Sequence, residues 1–495
     1  MPPDVVIEID AVGVITLVIT VIIFLNIVLA IVTLFRERRE PASLWAWILV
    51  MFFLPVLGFL LWIFVGRRLT RQKIFQKLQG SSTDYGELAL DQQRAIAAGS
   101  FVFGNPASEH HRGVVELLMA DQGALLTEDN RVQVFSDGRL KFEALINDIA
   151  AATDHVHVYY YIFKADRLGT RILAALTERA RAGVEVRLCY DALGGRQVHR
   201  RDLEALRAAG GQIYAFFPSR IPFINLRVNN RTHRKLVVVD GSVGYIGGFN
   251  VGDEYLGKNP RFGYWRDTHL RVEGSAVNSI QRRLLTDWNA AAPPEHRVRW
   301  HDRYFRAPTQ PTGRVALQIA SSGPDSSWER IKFGYIKMIN SARRSVWIQT
   351  PYFMPDAAVL DALKIAARSG LDVRMMIPDK PDHLLVYPAT LSYADELAHC
   401  GAKIYIYRNG FLHAKTVLVD HEMGSVGTAN MDYRSFRLNF EVNAFFYDAD
   451  LGEELRDIYL GDVDRCTVFD RATEFGRRST WPFREGISRL VSPLL

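Results

Sequence analysis

Cysteine is scarce in this chain. Only Cys189, Cys400 and Cys466 occur among 495 residues, far apart from one another. Such spacing gives no disulfide framework and no metal-ligand cluster, and it fits a reducing compartment. A zinc-spaced Cys/His set, a P-loop and a dinucleotide glycine pattern are likewise missing, so the chemistry is read as free of metal and cofactor. A dominant charge is missing too. The formal net charge is +6, modest for the length, and no long basic stripe is present. This argues against nucleic acid as a partner while allowing an anionic surface or ligand.

The N-terminal tail has Asp4, Glu8 and Asp10 but no Lys or Arg, unlike a signal peptide, which starts with a basic region. Two stretches then lack charge altogether, Val12 to Phe35 (24 residues) and Leu44 to Val65 (22 residues). At about 1.5 Å per residue each reaches across a hydrocarbon core of roughly 30 Å. A membrane hairpin over residues 1–72 is therefore expected, with spans at about 12–35 and 44–65. The turn from Arg36 to Pro41 holds three Arg, against Arg67, Arg68, Arg71, Lys73 and Lys77 beyond the second span. Five against three favours a cytoplasmic C-terminal part and a multi-pass protein of the inner membrane. Trp45, Trp47 and Trp62 suit the interfacial aromatic belt. Pro55 and Gly58 leave a re-entrant hairpin open as the alternative.

The remainder reads as α/β, and it reads twice. "HVHVYYYIF" (155–163), a helix over about 169–182 and "VEVRLCYD" (184–191) form one β-α-β unit. "SVWIQTPYF" (345–353), a helix over about 357–368 and "LDVRMMIPD" (371–379) repeat it, and "RAGVEVR" aligns with "RSGLDVR". The division expected is 73–292, a Pro-rich linker at 293–313, and 314–495 ending in an amphipathic segment.

Each half carries one further stretch, "THRKLVVVDGSVGYIGGFN" from Thr232 and "LHAKTVLVDHEMGSVGTAN" from Leu412. Both read His, one residue, Lys, four residues, Asp, then Gly seven later and Asn three after that. On a strand, residues two apart share a face, which sets His233 beside Lys235 and His413 beside Lys415. A neutral imidazole attacks phosphorus or relays a proton, and Lys is a point charge for phosphate oxygens. Asn250 and Asn430 add uncharged donors, and Gly247, Gly248 and Gly427 are expected to let the backbone approach a ligand. Displacement at a phosphodiester needs a nucleophile on one side and an acid on the other, which two copies facing one another supply. Asp267 and Glu441, 34 and 28 residues after the histidine of their own halves, are candidates for orienting the imidazoles. Asp240 and Asp420 complete the motif and, ending their strands, read as turn-fixing carboxylates within it. His155 and His157 share a strand face without a third ligand and read as packing residues. His110, His111 and His421 lie in polar stretches and read as solvated.

With these residues the chain resembles the phospholipase D superfamily, whose signature is H-x-K-x4-D followed by Gly-x-x-Asn. Through "AWILVMFFLPVLGFLLWIFVGRR", "NLRVNNRTHRKLVVVDG", "TPYFMPD" and "IPDKPDHLLVY" it resembles the bacterial cardiolipin synthases in particular. The resemblance implies two phospholipase-D-like α/β domains packed with pseudo-two-fold symmetry behind the hairpin. It implies a catalytic set of His233, Lys235, Asp240, His413, Lys415 and Asp420, with Asn250 and Asn430 on the phosphate. The implied reaction joins two phosphatidylglycerol molecules into cardiolipin and glycerol through a phosphatidyl-histidine. His233 would be the nucleophile and His413 the acid and base, an order the near-equivalent halves leave open. Hydrolysis to phosphatidic acid is the rival outcome, and a dead lipid-binding scaffold a third, disfavoured because both His-Lys pairs are intact. An anionic bilayer is the implied partner. "FFPSRIPFINLR" (216–227) is read either as resting on lipid or as a buried loop. Ile487, Leu490, Val491 and Leu494 are read as an interfacial helix or a cap on the core.

Overall fold

The structure, a computed structural model, describes residues 11–36, 41–54, 57–58, 61–62, 83–120, 123–218, 230–306, 310–326, 328–380, 386–471 and 489. The stretch 219–227, the C-terminal amphipathic segment apart from Arg489 and most of 55–65 lie outside these residues. The chain forms two compact units, one of the N-terminal helices and one holding both α/β halves.

In the first unit the helix Ala11–Arg36 is apolar on every side, and none of its Val12–Leu29 stretch is buried. By length and composition it is long enough to cross a membrane. The next described helix, Pro41–Phe53, has 13 residues. At about 1.5 Å each it covers roughly 20 Å, short of a hydrocarbon core. Among the described residues there is thus one candidate span, where the sequence led us to expect two.

The second unit is organised by its strands: β1 (Leu126–Asp137), β2 (His155–Tyr160), β3 (Glu185–Asp191), β4 (Gln212–Phe216), β5 (Leu236–Val239), β6 (Val243–Gly247) and β7 (Trp265–Glu273), then β8 (Val315–Ser322), β9 (Ser345–Gln349), β10 (Asp372–Pro378), β11 (Lys403–Tyr407), β12 (Thr416–Val419), β13 (Met423–Gly427), β14 (Glu441–Tyr447) and β15 (Cys466–Val468). They lie in the order β15-β11-β10-β9-β12-β13-β14-β8-β1-β7-β6-β5-β2-β3-β4, and Phe411–Leu412 pairs with β7 to complete a 16-stranded sheet. The order is the same read outward from the centre in either direction, apart from the extra β15. The halves meet where β1 runs antiparallel to β8, with Leu126 opposite Gln318. In both halves the first three crossover strands are parallel and the remainder antiparallel.

Repeated local chemistry explains the repeated elements. Asp166 and Asp356 cap helices Arg167–Arg181 and Ala357–Arg368 by accepting the amides of Gly169 and Val359, each at 3.2 Å. Both helices end two residues before a glycine, Gly183 at φ +89° and Gly370 at φ +90°. That left-handed geometry favours glycine, and an added Cβ at either would meet no neighbour within 4 Å among the described residues. One core cluster draws on both halves, including Tyr159, Leu236, Trp288, Leu317, Trp347, Leu418 and Phe446. The segment expected to be a linker is bonded to the first half: Trp288 Nε1 donates to His296 O at 3.1 Å, and Asn289 Nδ2 to Val298 O at 2.9 Å.

Buried arginines tie the halves together. Arg234 donates to both oxygens of Asp287 at 2.7 and 2.8 Å, and also to the carbonyls of Glu441 and Ser322 in the second half. Arg266 of the first half pairs with Asp462 of the second at 2.8 Å. Removing one partner of such a pair strands a charge in the interior. Asp287→Ala should therefore lower the unfolding free energy by about 3–5 kcal/mol, measured by chemical denaturation in detergent. A loss near zero would mean that Arg234 and Arg283, which also donates to Asp287, find other partners.

Candidate active site

The motifs stand at the starts of β5 and β12, where each strand stub crosses to the other half. His233 donates its amide to Phe440 O at 2.8 Å, and His413 donates its amide to Arg266 O at 2.7 Å. Phe411 and Leu412 run parallel to Trp265 and Arg266, and Thr232 forms the matching bridge with Phe440. Each histidine is thereby laid beside the residue that follows the accepting carbonyl, Glu441 for His233 and Asp267 for His413.

The side chains complete these crossed pairs. His233 Nδ1 lies 3.0 Å from Glu441 Oε2, and His413 Nδ1 lies 2.6 Å from Asp267 Oδ2. Both carboxylates are fully buried, while the imidazoles keep 12% and 9% exposure. Spacing in the sequence places each acid after the histidine of its own half; the fold pairs each acid with the histidine of the other half. With Nδ1 keeping its proton and donating it in a hydrogen bond to the carboxylate, Nε2 of each neutral ring is left as the atom for chemistry.

The lysines reach the same place. Lys235 Nζ donates to His233 O, and Lys415 Nζ to His413 O. Lys415 Nζ also lies 2.8 Å from His413 Nδ1. Since that nitrogen carries the proton shared with Asp267, the approach is cationic proximity and not a second hydrogen bond. The charges act across the halves. Burial, then Lys415, lowers His413 to about 3, despite Asp267. Burial is also the largest cause at His233, where Glu441 opposes it and Lys235 and Lys415 add to it; the net shift is downward. Burial brings Lys235 down to about 7, with Glu441 opposing and Lys415 assisting. At the acids, burial acts upward and is outweighed: by Lys415 and His413 at Asp267, and by His233 and Lys235 at Glu441. Neutral imidazoles beside ionised carboxylates are the ready state for nucleophilic attack.

Asn250 and Asn430 sit beyond β6 and β13, both buried. Asn250 Oδ1 accepts the Ile162 amide at 3.0 Å, and Asn430 Nδ2 donates to Asp432 at 3.1 Å. Asn430 Oδ1 has no partner among the described residues.

Asp240 and Asp420, which the resemblance places in the catalytic set and their strand-end position marks as turn-fixing, hold backbone amides. Asp240 accepts the amides of Thr153, Asp154 and His155 at 2.8–2.9 Å. Asp420 accepts those of Arg343, Arg344 and Ser345 at 2.7–2.8 Å. They close the far ends of β5 and β12, about 16 Å from the lysines at 3.3 Å per residue, and fix strand entry. The glycines also serve another purpose. An added Cβ at Gly248 would sit 1.9 Å from Asp267 Oδ1, and one at Gly427 would sit 2.3 Å from the Asn443 side chain. They make room for neighbouring side chains. His155 and His157 are buried, the latter held by Gln281 at 2.8 Å. His111, read as solvated, is 4% exposed, because it joins helices Pro106–His110 and Arg112–Met119, which pack against the second half.

Sequence reasoning passed over three contributors. Thr428 donates its hydroxyl to Glu441 Oε2 and offers its carbonyl to His233 Nδ1 at 3.0 Å. Asn439 Nδ2 donates to Glu441 Oε1 at 3.2 Å. Tyr161 sets its ring edge-to-face with His233 at 5.3 Å. The available signal was Thr428 itself, which breaks the repeat by standing opposite Gly248.

Two outcomes test this geometry. Glu441→Gln should lose about 10²-fold or more in turnover, since the amide no longer fixes the His233 tautomer. Lys235 is a cation below about 7 and neutral above it, so kcat/KM that depends on that cation should fall as pH rises through this value. In Lys235→Arg the alkaline fall should disappear from the accessible range.

The site's pattern has known counterparts. A family model described as "Cardiolipin synthase, PLD-like domain" matches residues 145–261 and 335–462, one match in each half. A second, "Phospholipase_D-nuclease N-terminal", matches residues 24–67. A cardiolipin synthase of Listeria innocua is 49% identical over 98% of this chain and 100% of its own length. The major cardiolipin synthase of Bacillus subtilis is 50% identical over 95% of this chain and 97% of its own. Among solved structures, a phosphatidylserine synthase of Haemophilus influenzae superposes with a TM-score of 0.59 at 15% identity. It covers 79% of this chain and all of that one, and thus shows the fold alone. With near-full-length identity to curated relatives and one family match per half, the chain belongs to the cardiolipin synthase family of phospholipase-D-like phosphatidyltransferases.

Proposed function

We propose that the chain moves a phosphatidyl group between two phosphatidylglycerol molecules, giving cardiolipin and glycerol. The observation that carries this reading is the pair of neutral imidazoles, each held at Nδ1 by a buried carboxylate of the other half and each beside a lysine.

His233 Nε2 attacks the phosphorus of the first lipid. The phosphorus–oxygen bond to glycerol breaks, and His413, as imidazolium, gives the departing oxygen its proton. His413, now neutral, takes the proton of a glycerol hydroxyl on the second lipid. That oxygen attacks phosphorus, the phosphorus–nitrogen bond breaks, and His233 is restored. Lys235, Lys415, Asn250 and Asn430 hold the phosphate and balance the charge that grows as phosphorus becomes pentacoordinate. The incoming anion offsets the lysine charges that, after burial, hold His413 low, and so lets it take up the proton it must give. The shorter carboxylate contact at His413, 2.6 Å against 3.0 Å, suits the ring that becomes fully charged. We place the protein in the cytoplasmic membrane with the N-terminal helix as a tether and the α/β body on the cytoplasmic side, where it meets anionic headgroups.

The test uses protein purified in detergent, phosphatidylglycerol as sole lipid and a chelator, with products read by mass spectrometry. Cardiolipin and glycerol should appear in equal amounts and vanish in His233→Ala and in His413→Ala. Phosphatidic acid alone would make water the acceptor and replace this reading with hydrolysis. A phosphatidyl ester with a nitrophenol leaving group, which needs no acid, assigns the roles. His413→Ala should release one equivalent of nitrophenolate and keep a phosphatidyl label on His233. Label on His413 in His233→Ala would reverse the order.

A further inference from the structure

Away from the catalytic centre, three potential ligands converge. One ligand atom each from His110, His111 and Glu422 lie within 4.8 Å of one another. His111 is 4% exposed, and its Nε2 has no hydrogen-bond partner among the described residues. The His110 and His111 rings stack at 4.7 Å between centroids. Glu422 is engaged on one oxygen by Arg344 at 3.4 Å, which leaves the other for a ligand.

The pseudo-symmetry shows what this place is for. In the first half, the segment 300–306 covers the β5–β6 turn. Tyr304 O stands against Gly241, where a Cβ would meet it at 2.9 Å. Arg306 reaches Asp154 at 2.9 Å, and Tyr304 OH donates to Glu185 at 2.8 Å. The segment 105–112 takes the equivalent position on the β12–β13 turn of the second half. Asn105 Nδ2 donates to Asp448 at 3.0 Å, but where the first strap reaches the body with Arg306, this one presents two histidines opposite a glutamate.

We propose that His110, His111 and Glu422 bind a divalent transition ion of the zinc, cobalt and nickel class, which pins the strap to the β12–β13 turn. Two imidazoles and a single carboxylate suit these ions and not magnesium or calcium, which require oxygen ligands. Bonds of about 2.1 Å in a tetrahedron put donors roughly 3.4 Å apart. The 4.8 Å set reaches that spacing by turning the exposed His110 ring and the Glu422 carboxylate. The fourth position is left to water. Glu422 lies beyond the far end of β12 from Lys415, so the ion is structural and takes no part in phosphatidyl transfer.

The test is a cobalt(II) titration of the whole chain in detergent after treatment with a chelator, read by the visible bands of bound cobalt and by the thermal unfolding midpoint. Wild type should bind one ion per chain, with a midpoint that rises with cobalt. His110→Asn and Glu422→Gln, both at positions that tolerate change without unfolding the core, should each weaken binding by about tenfold or more. His413→Ala should bind as wild type does, and cobalt should leave transferase activity unchanged. Absence of bands in wild type overturns the proposal, as do equal bands in the two site variants or loss of binding in His413→Ala.

Discussion

Two backbone hydrogen bonds set the geometry on which the rest depends, from His233 to Phe440 and from His413 to Arg266. Each is an ordinary amide-to-carbonyl contact. Its position gives it importance, because it fixes the register between a motif and the acidic strand of the opposite half. Strand register is unforgiving: a slip of one residue turns every side chain to the other face. With Arg266 O accepting from His413, Asp267 falls beside the imidazole, and the same holds for Phe440 and Glu441. The buried ion pairs of Arg234 and Arg266 lie in the same seam, so packing between the halves and orientation of the imidazoles are one structural problem with one solution.

The symmetry is incomplete in an informative way. Where the second half has Thr428, whose hydroxyl braces the longer Glu441, the first has Gly248, whose missing side chain admits the shorter Asp267. Carboxylate length and neighbour size change together. One imidazole ends up with a tight single contact and the other with a looser one shared between Glu441 and the Thr428 carbonyl. Two rings that start from the same motif therefore meet different surroundings, as two different chemical roles require.

Much of this was visible in the sequence. The repeat, the strand character of "LVVV" and "TVLV", the His-Lys pairs and both orienting acids follow from period-two patterning and from the rarity of the double motif. What could not be read were relationships across the halves. Asp267 and His413 are 146 residues apart and His233 and Glu441 208, and no local pattern encodes which acid meets which ring. The same limit hid the burial of His111, whose surroundings in sequence are polar but whose flanking helices pack on the other half. Asp240 and Asp420 were legible as well: ending their strands, they read as turn-fixing carboxylates, and they hold backbone amides there. Gly248 and Gly427 show a different limit, since glycine signals a missing side chain without saying what fills the space.

The crossed carboxylates make each half a supplier to the other. Neither half, standing by itself, contains a correctly held imidazole, so neither is half an enzyme. Because both halves lie in one chain, the two positions need not be alike, and Thr428 against Gly248, with Glu441 against Asp267, are where they differ. Reciprocity also sets how substitutions travel. A change that loosens β7 is felt first at His413 and one that loosens β14 at His233, each in the half that was not altered.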